Sequence, residues 1–69
     1  MNISLGDWIN TPRFCKVQID AIFADAKEAA RAGYTEPTYF EDPEWAIRGK
    51  SIDRCTMYFA AIRKYPMPD

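Results

Sequence analysis

Residues 14–23 carry the most regular pattern in the chain, because apolar and polar side chains alternate along them. An alternation with a period of two is typical of a β-strand that has one face in the core and the other in solvent. The pattern therefore predicts a strand over 14–23. Its apolar side carries Cys15, Val17, Ile19, Ala21 and Phe23, and its polar side carries Lys16, Gln18 and Asp20.

A short helix is predicted directly after this strand. Asp25 is a favourable N-cap, and Glu28 three residues later completes a motif similar to a capping box. Gly33 fits the left-handed position that ends a helix, and Tyr34 can pack back over that end. The pattern predicts a helix from about Asp25 to Ala32 that folds over the apolar side of the strand. Its contact surface would be the alanine stripe Ala26, Ala29 and Ala30.

The rest of the chain predicts two further strands and one irregular connection. Pro37 and Pro43 each lack a backbone donor, which excludes a central strand over 35–44 but is compatible with a short edge strand over 38–40. Alternating residues predict strands over 45–50 and 55–64, and residues 4–10 are consistent with a short helical turn that Pro12 terminates. The expected fold is one α+β domain, 1–69, with the order β-α-β-β. It has a three-stranded antiparallel sheet with one helix packed on one face.

Composition and charge limit the classes of function. The chain has 69 residues, 48% hydrophobic and 14% aromatic, which favours a folded domain over disorder. A formal net charge of −1 does not indicate a nucleic-acid-binding domain, although a local basic patch is compatible with it. No signal peptide and no membrane span are recognised, so we expect a cytoplasmic protein with two reduced, buried cysteines. Such a small domain also leaves a homodimer open.

Residues suited to catalysis are scarce. The chain has no His, no glycine-rich phosphate loop and too few ligands for a zinc site. Glu41, Asp42 and Glu44 are interpreted as the solvated rim of a loop rather than as an acid–base pair or a cation site. The sequence therefore predicts a protein that is not an enzyme and that needs no cofactor or metal.

The polar face of the predicted sheet is one candidate binding surface. Aromatic rings among cations on an open sheet suit a nucleotide or single-stranded nucleic acid, because the rings stack on bases and the cations meet phosphates. The competing interpretation is that the N-terminal segment covers this face through Leu5 and Trp8. The candidate nucleotide-binding residues are Phe14, Lys16, Arg48, Lys50 and Tyr58.

The aromatic, acidic loop after the helix is the other candidate surface. Tyr34, Tyr39, Phe40 and Trp45 are predicted to cluster around its prolines, with Trp45 completing the core. We expect some of these rings to remain exposed as anchors for a protein partner, because interface hot spots favour rigid aromatic side chains. The alternative is that all four rings are buried and the loop is scaffold. The predicted partner-binding residues are Tyr39, Phe40, Glu41 and Asp42.

Three segments carry a resemblance over most of the chain. The strings TPRFCKVQI, EAARAGYTEPTYFEDPEWAIRGKS and MYFAAIRK resemble small uncharacterised proteins encoded on bacterial prophages and mobile elements. The resemblance brings no activity and no site residue. It implies an accessory protein that binds a host protein, such as a component of host defence.

Overall fold

The chain folds into one five-stranded sheet with one short helix. A computed structural model describes residues 2–38 and 42–65. The strands are β1 Trp8–Thr11, β2 Cys15–Phe23, β3 Glu36–Thr38, β4 Trp45–Ser51 and β5 Met57–Arg63, and the helix is α1 Ala26–Arg31. The strand order is β1-β2-β5-β4-β3, in which β2 and β5 are parallel and the other neighbours are antiparallel.

This architecture corrects the predicted fold class. The central strands β2, β4 and β5 and the helix lie where they were predicted, but the sheet is curled, mixed and five-stranded, not three-stranded and antiparallel. The edge strand β1 was missed, the edge strand β3 begins two residues earlier than the short edge strand considered over 38–40, and the parallel pairing of β2 with β5 was not foreseen. The expected helical turn over 4–10 is also wrong, because β1 begins at Trp8.

The first edge strand forms because residues 11–15 make a tight turn that reverses the chain. The Thr11 hydroxyl donates to the Cys15 carbonyl (3.1 Å) and accepts the Phe14 N–H (3.1 Å). Cys15 adopts a left-handed backbone with a φ of 59°, which closes the turn. The turn pairs Trp8–Thr11 with the first half of β2.

A β-bulge at Asp20 divides β2 between the two faces of the sheet. Ile19 pairs with Phe59 and Ala21 pairs with Ala60, so Asp20 has no partner residue on β5. One extra residue reverses which face the following side chains occupy. The single apolar side predicted for 14–23 is therefore wrong beyond Ile19.

Two apolar clusters result, one on each face. We call the first the Phe59 face and the second, which packs against α1, the helix face. The Phe59 face is the larger cluster: Ile3, Ile9, Val17, Ile19, Trp45, Ile47, Phe59 and Ala61, with Phe14 and Met57 at its border. The helix face consists of Ala29, Tyr34, Ala60 and Ile62, with Ala21, Phe23 and Ala32 at its border.

The helix ends are formed as predicted, but the helix lies on the other face. The Asp25 carboxylate accepts the Glu28 N–H at 2.9 Å, and Gly33 has a φ of 98°. Tyr34 packs back over the helix end, 7% exposed, with its ring 5.5 Å from that of Phe23. The bulge turns the Phe23 side chain to the helix face. Because α1 packs on that face, it covers part of the surface that was expected to be open.

The N-terminal segment and the cysteines also depart from expectation. Ile3 is buried on the Phe59 face, whereas Leu5 and Trp8 are 66% and 63% exposed. The idea that Leu5 and Trp8 cover the polar face is therefore wrong. Cys15 and Cys55 are both exposed, so their predicted burial is wrong as well.

Candidate binding groove

A groove opens where β2 and β5 separate. Their pairing begins only at Ile19 and Phe59. Before that point the first half of β2 pairs with β1, and the start of β5 pairs with β4. The opening, which we call the strand-gap groove, has a volume of about 560 Å³. It is lined by Trp8, Phe14, Lys16, Val17, Gln18, Asp20, Arg54, Cys55, Met57, Tyr58 and Phe59.

Two exposed aromatic side chains border the strand-gap groove. Trp8 lies on β1 opposite Gln18 and is 63% exposed, and Tyr58 lies on β5 and is 44% exposed. By strand alternation both belong to the helix face, beyond the part of that face that α1 covers. Large rings left in solvent forgo the stabilisation that burial gives, so a paired exposure of this kind is a candidate contact surface.

Two cations contribute to the same groove. Lys16 is exposed on β2, and Arg54 lies in the turn that leads into β5. That turn is organised by the Asp53 carboxylate, which accepts the N–H groups of Cys55 and Thr56, each at 2.8 Å. These backbone hydrogen bonds hold the pKa of Asp53 below its ordinary value. The turn therefore places Arg54 beside the groove through a local, hydrogen-bonded structure.

The groove has an apolar wall on the Phe59 face. The ring of Phe14 lies 5.3 Å from that of Phe59 in a tilted arrangement, and the Arg13 guanidinium stands 5.1 Å from the Phe14 ring centroid. Asp20 is the acidic residue among the lining side chains. The groove thus combines rings, a hydrophobic wall and two cations against one carboxylate.

The structure divides the predicted nucleotide-binding set. Phe14, Lys16 and Tyr58 line the strand-gap groove, although Phe14 reaches it from the Phe59 face. Lys50 lies instead against the helix end, with its Nζ atom 5.7 Å from the Tyr34 ring centroid. Arg48 lines a separate cavity near the N-terminal end of α1. Lys50 nevertheless pairs directly with Tyr58 across β4 and β5, so it adjoins the groove without lining it, whereas Arg48 lies outside the groove.

The predicted protein-binding loop falls mainly outside the described residues. Tyr39, Phe40 and Glu41 lie in the gap between 38 and 42. Asp42 is described, and its carboxylate accepts the N–H groups of Glu44 (2.8 Å) and Trp45 (3.2 Å). Asp42 thus organises the turn that precedes β4.

The burial of Trp45 is confirmed. Its side chain is 3% exposed and belongs to the cluster of the Phe59 face.

Sequence reasoning missed two residues of the groove, Trp8 and Arg54. Trp8 had been assigned to a helical turn, yet Trp8-Ile9-Asn10-Thr11 alternates between exposed and buried positions. In the sequence the same four residues are apolar, apolar, polar and polar, so the alternation is visible only in the structure and did not predict a β-hairpin. Nothing in the local sequence distinguishes Arg54 from an ordinary solvated turn residue.

Comparisons with known proteins add no relative. No family model matches the chain, and neither a curated protein nor a solved structure is significantly similar to it. The likeness to prophage proteins therefore stays a prediction. Within 2–38 and 42–65, no helix is long and apolar enough to cross a membrane. The same residues contain no cluster of three or more metal-ligating side chains.

Proposed function

We propose that this protein is a non-enzymatic binding module that holds single-stranded nucleic acid in the strand-gap groove. The observation that carries the proposal is that the exposed rings of Trp8 and Tyr58 line the same groove as Lys16 and Arg54. Bases stack on aromatic rings with little sequence preference, and cations meet the phosphates between them. The pyrimidine and purine faces then contact the rings, while the backbone follows the cations.

The charge of the groove predicts weak binding with a shallow dependence on salt. Lys16 and Arg54 stand against Asp20, so about two phosphates are neutralised. For single strands the logarithmic salt slope is about −0.7 for each phosphate contact, which gives about −1.4 here. Affinity should therefore fall about sevenfold between about 50 and 200 mM salt, from a dissociation constant in the micromolar range or weaker.

Fluorescence anisotropy with a labelled oligothymidylate tests this proposal. Trp8→Ala should weaken binding about 5- to 150-fold, because stacking on one ring contributes about 1–3 kcal/mol. Tyr65→Ala is the matched control, since Tyr65 is an equally open ring, 71% exposed, outside the groove. Lys16→Ala should reduce the salt slope by about 0.7.

Two results would contradict nucleic-acid binding. One is the absence of an anisotropy change at protein concentrations near 1 mM. The other is equal weakening by Trp8→Ala and Tyr65→Ala, which would show that the contact is not at the groove. Circular dichroism of each variant checks that the fold is retained.

A protein partner is the second candidate function. The groove offers Trp, Tyr and Arg side chains, the types that dominate interface hot spots. The proposed binding of a host protein through Tyr39, Phe40, Glu41 and Asp42 remains a prediction, as does the homodimer. An apolar protein contact would persist at high salt, whereas phosphate binding with a slope of about −1.4 would weaken about 25-fold between about 50 mM and 0.5 M salt.

Affinity capture from bacterial lysate at about 0.5 M salt separates the two candidates. A protein retained by the parent chain and lost on Trp8→Ala would assign the groove to a protein partner. A protein lost only on the double change Tyr39→Ala with Phe40→Ala, with the fold intact, would assign binding to the loop instead. If that double variant unfolds, the two rings belong to the core and the anchor hypothesis fails.

A further inference from the structure

A second cavity lies at the opposite end of the sheet from the strand-gap groove. It has a volume of about 800 Å³, and we call it the end cavity. It is bordered by the last residues of β2 and β5, the start of β4 and the segment that enters α1. Phe23, Ala46 and Ile62 supply apolar surface from the helix face. Its size lies within the range of about 300–1,000 Å³ that is usual for sites of small organic ligands.

The side chains around the end cavity carry a net positive charge. Arg48, Arg63 and Lys64 line it together with one acid, Asp25. The Asp25 carboxylate accepts the Glu28 N–H at the start of α1, so it is already engaged.

The three cations differ in burial and in the contacts that their side chains make. The Arg63 guanidinium lies 4.5 Å from the Trp45 ring centroid, which fixes it over the core. Arg48 is half-buried on the helix face, and no salt bridge to Arg48 or Lys64 occurs among residues 2–38 and 42–65. Glu44 directly precedes β4, and its carbonyl accepts the Lys64 N–H at 2.9 Å, but Glu44 does not line the cavity. Arg48 is thus a half-buried cation beside apolar surface.

We infer that the end cavity binds a small organic carboxylate with an apolar body. The apolar surface of Phe23, Ala46 and Ile62 takes the hydrocarbon, and Arg48 with Lys64 takes the carboxylate. An arginine suits this role because its planar guanidinium can donate two parallel hydrogen bonds to one carboxylate. The site shares no lining residue with the strand-gap groove, so it stands independently of nucleic-acid binding.

Octanoate at neutral pH is the first probe, and octylammonium is its charge-reversed control. Amide chemical shifts of the protein are followed by NMR during titration with each compound. Octanoate should shift the resonances of Phe23, Ala46 and Arg48 progressively and saturably, while acetate and octylammonium should not. This pattern would show that binding requires both the hydrocarbon chain and the negative charge. The apolar residues of the cavity would contact the first, and its cations would contact the second.

Two variants locate the charge contact. Arg48→Gln should weaken octanoate binding about tenfold or more, since it removes a charge-assisted hydrogen bond. Arg54→Gln is the matched control, because Arg54 belongs to the strand-gap groove and should leave octanoate affinity unchanged. If Arg48→Gln disturbs the fold, Lys64→Gln provides a change at an exposed residue of the same cavity.

Three outcomes of the titrations would overturn the inference. They are equal binding of octanoate and octylammonium, shifts confined to the strand-gap groove, and no saturable shift up to about 10 mM octanoate. A shift of the same resonances with protein concentration alone would also overturn it, because the cavity would then be covered by a second copy of the chain. A failure to bind oligothymidylate would not change the octanoate results, so each proposal can be contradicted independently of the other.

Discussion

The two ends of the sheet are built from the same strands, yet they differ in cover and in strand pairing. At one end β2 and β5 are apart, and Trp8 and Tyr58 stand in solvent. At the other end the two strands are paired through Phe23 and Ile62, and α1 covers their helix face. The first end has an open groove between strands, and the second has a cavity beside a helix.

The difference follows from the bulge at Asp20. Before it, Val17 and Ile19 serve the cluster of the Phe59 face, and after it Ala21 and Phe23 serve the helix face. A single nine-residue strand therefore supplies apolar side chains to two cores. A small chain has few apolar residues to distribute, so covering one end leaves little to cover the other. Exposed rings at the open end are the consequence.

The largest expected effect contrasts two neighbouring residues of β5. Phe59→Ala should destabilise the fold by about 3–5 kcal/mol, because Phe59 is 9% exposed and joins both Phe14 and the main cluster. Tyr58→Ala should cost about 0.5 kcal/mol or less, since its side chain is 44% exposed. Urea denaturation of both variants measures the difference. Comparable losses would show that the open end is packed more tightly than the structure indicates.

Local signals in the sequence were sufficient for the elements that depend on neighbours in the chain. The alternation of 14–23 predicted β2, and the Asp25 cap and Gly33 end predicted α1, because each rests on contacts within a few residues. The pairing of β2 with β5 joins residues about forty positions apart, and no local pattern encodes it. The bulge is also hidden, because Ala21 continues the alternation past Asp20 and the apolar run Ala21-Ile22-Phe23 that follows does not locate an extra residue.

The candidate site was only partly predictable for the same reason. Lys16 and Tyr58 were assigned to one face, and the structure places both at the strand-gap groove. Arg48 and Lys50 share that face by alternation, but Arg48 lines the end cavity, and Lys50, although it pairs with Tyr58, lies over the Tyr34 ring. Trp8 was missed because a four-residue edge strand is too short for a period-two pattern to be recognised.

The second prediction concerns the covered end alone. Asp25→Ala should destabilise the protein by about 1 kcal/mol, because the Glu28 N–H loses its capping acceptor. Asp25→Ser should restore most of that loss, and Lys27→Ala, on the exposed surface of the same helix, is the control. Thermal denaturation of the three variants ranks their stabilities. Oligothymidylate affinity should not change in any of the three, and a change would mean that the two ends are coupled.

The third prediction concerns the open end, and it expects a gain in stability where the first two expect a loss. Cys15 has a φ of 59°, a left-handed conformation that is unfavourable for a residue with a side chain. Cys15→Gly should therefore stabilise the fold by about 0.5 kcal/mol, after the greater chain entropy of glycine in the unfolded state is subtracted.

Cys55 supplies the matched control for this change. It is also exposed, and it is not among the described non-glycine residues with a positive φ, so Cys55→Gly should destabilise. Both thiols of the parent protein should react rapidly with a thiol reagent before denaturation. Slow labelling of native Cys15 would contradict its exposed position in the turn.

The smallest expected effect is a pH dependence in the turn that carries Arg54. Hydrogen bonds from the N–H groups of Cys55 and Thr56 lower the pKa of Asp53 in the folded state below the ordinary aspartate value of 3.8. The stability that this carboxylate contributes is therefore present above about pH 3.8 and is lost as the pH falls through the folded pKa. Asp53→Asn should make the free energy of unfolding less dependent on pH in that acid range. Urea denaturation at a series of acid pH values checks this, and an unchanged dependence in the variant would show that the turn gains nothing from the charge.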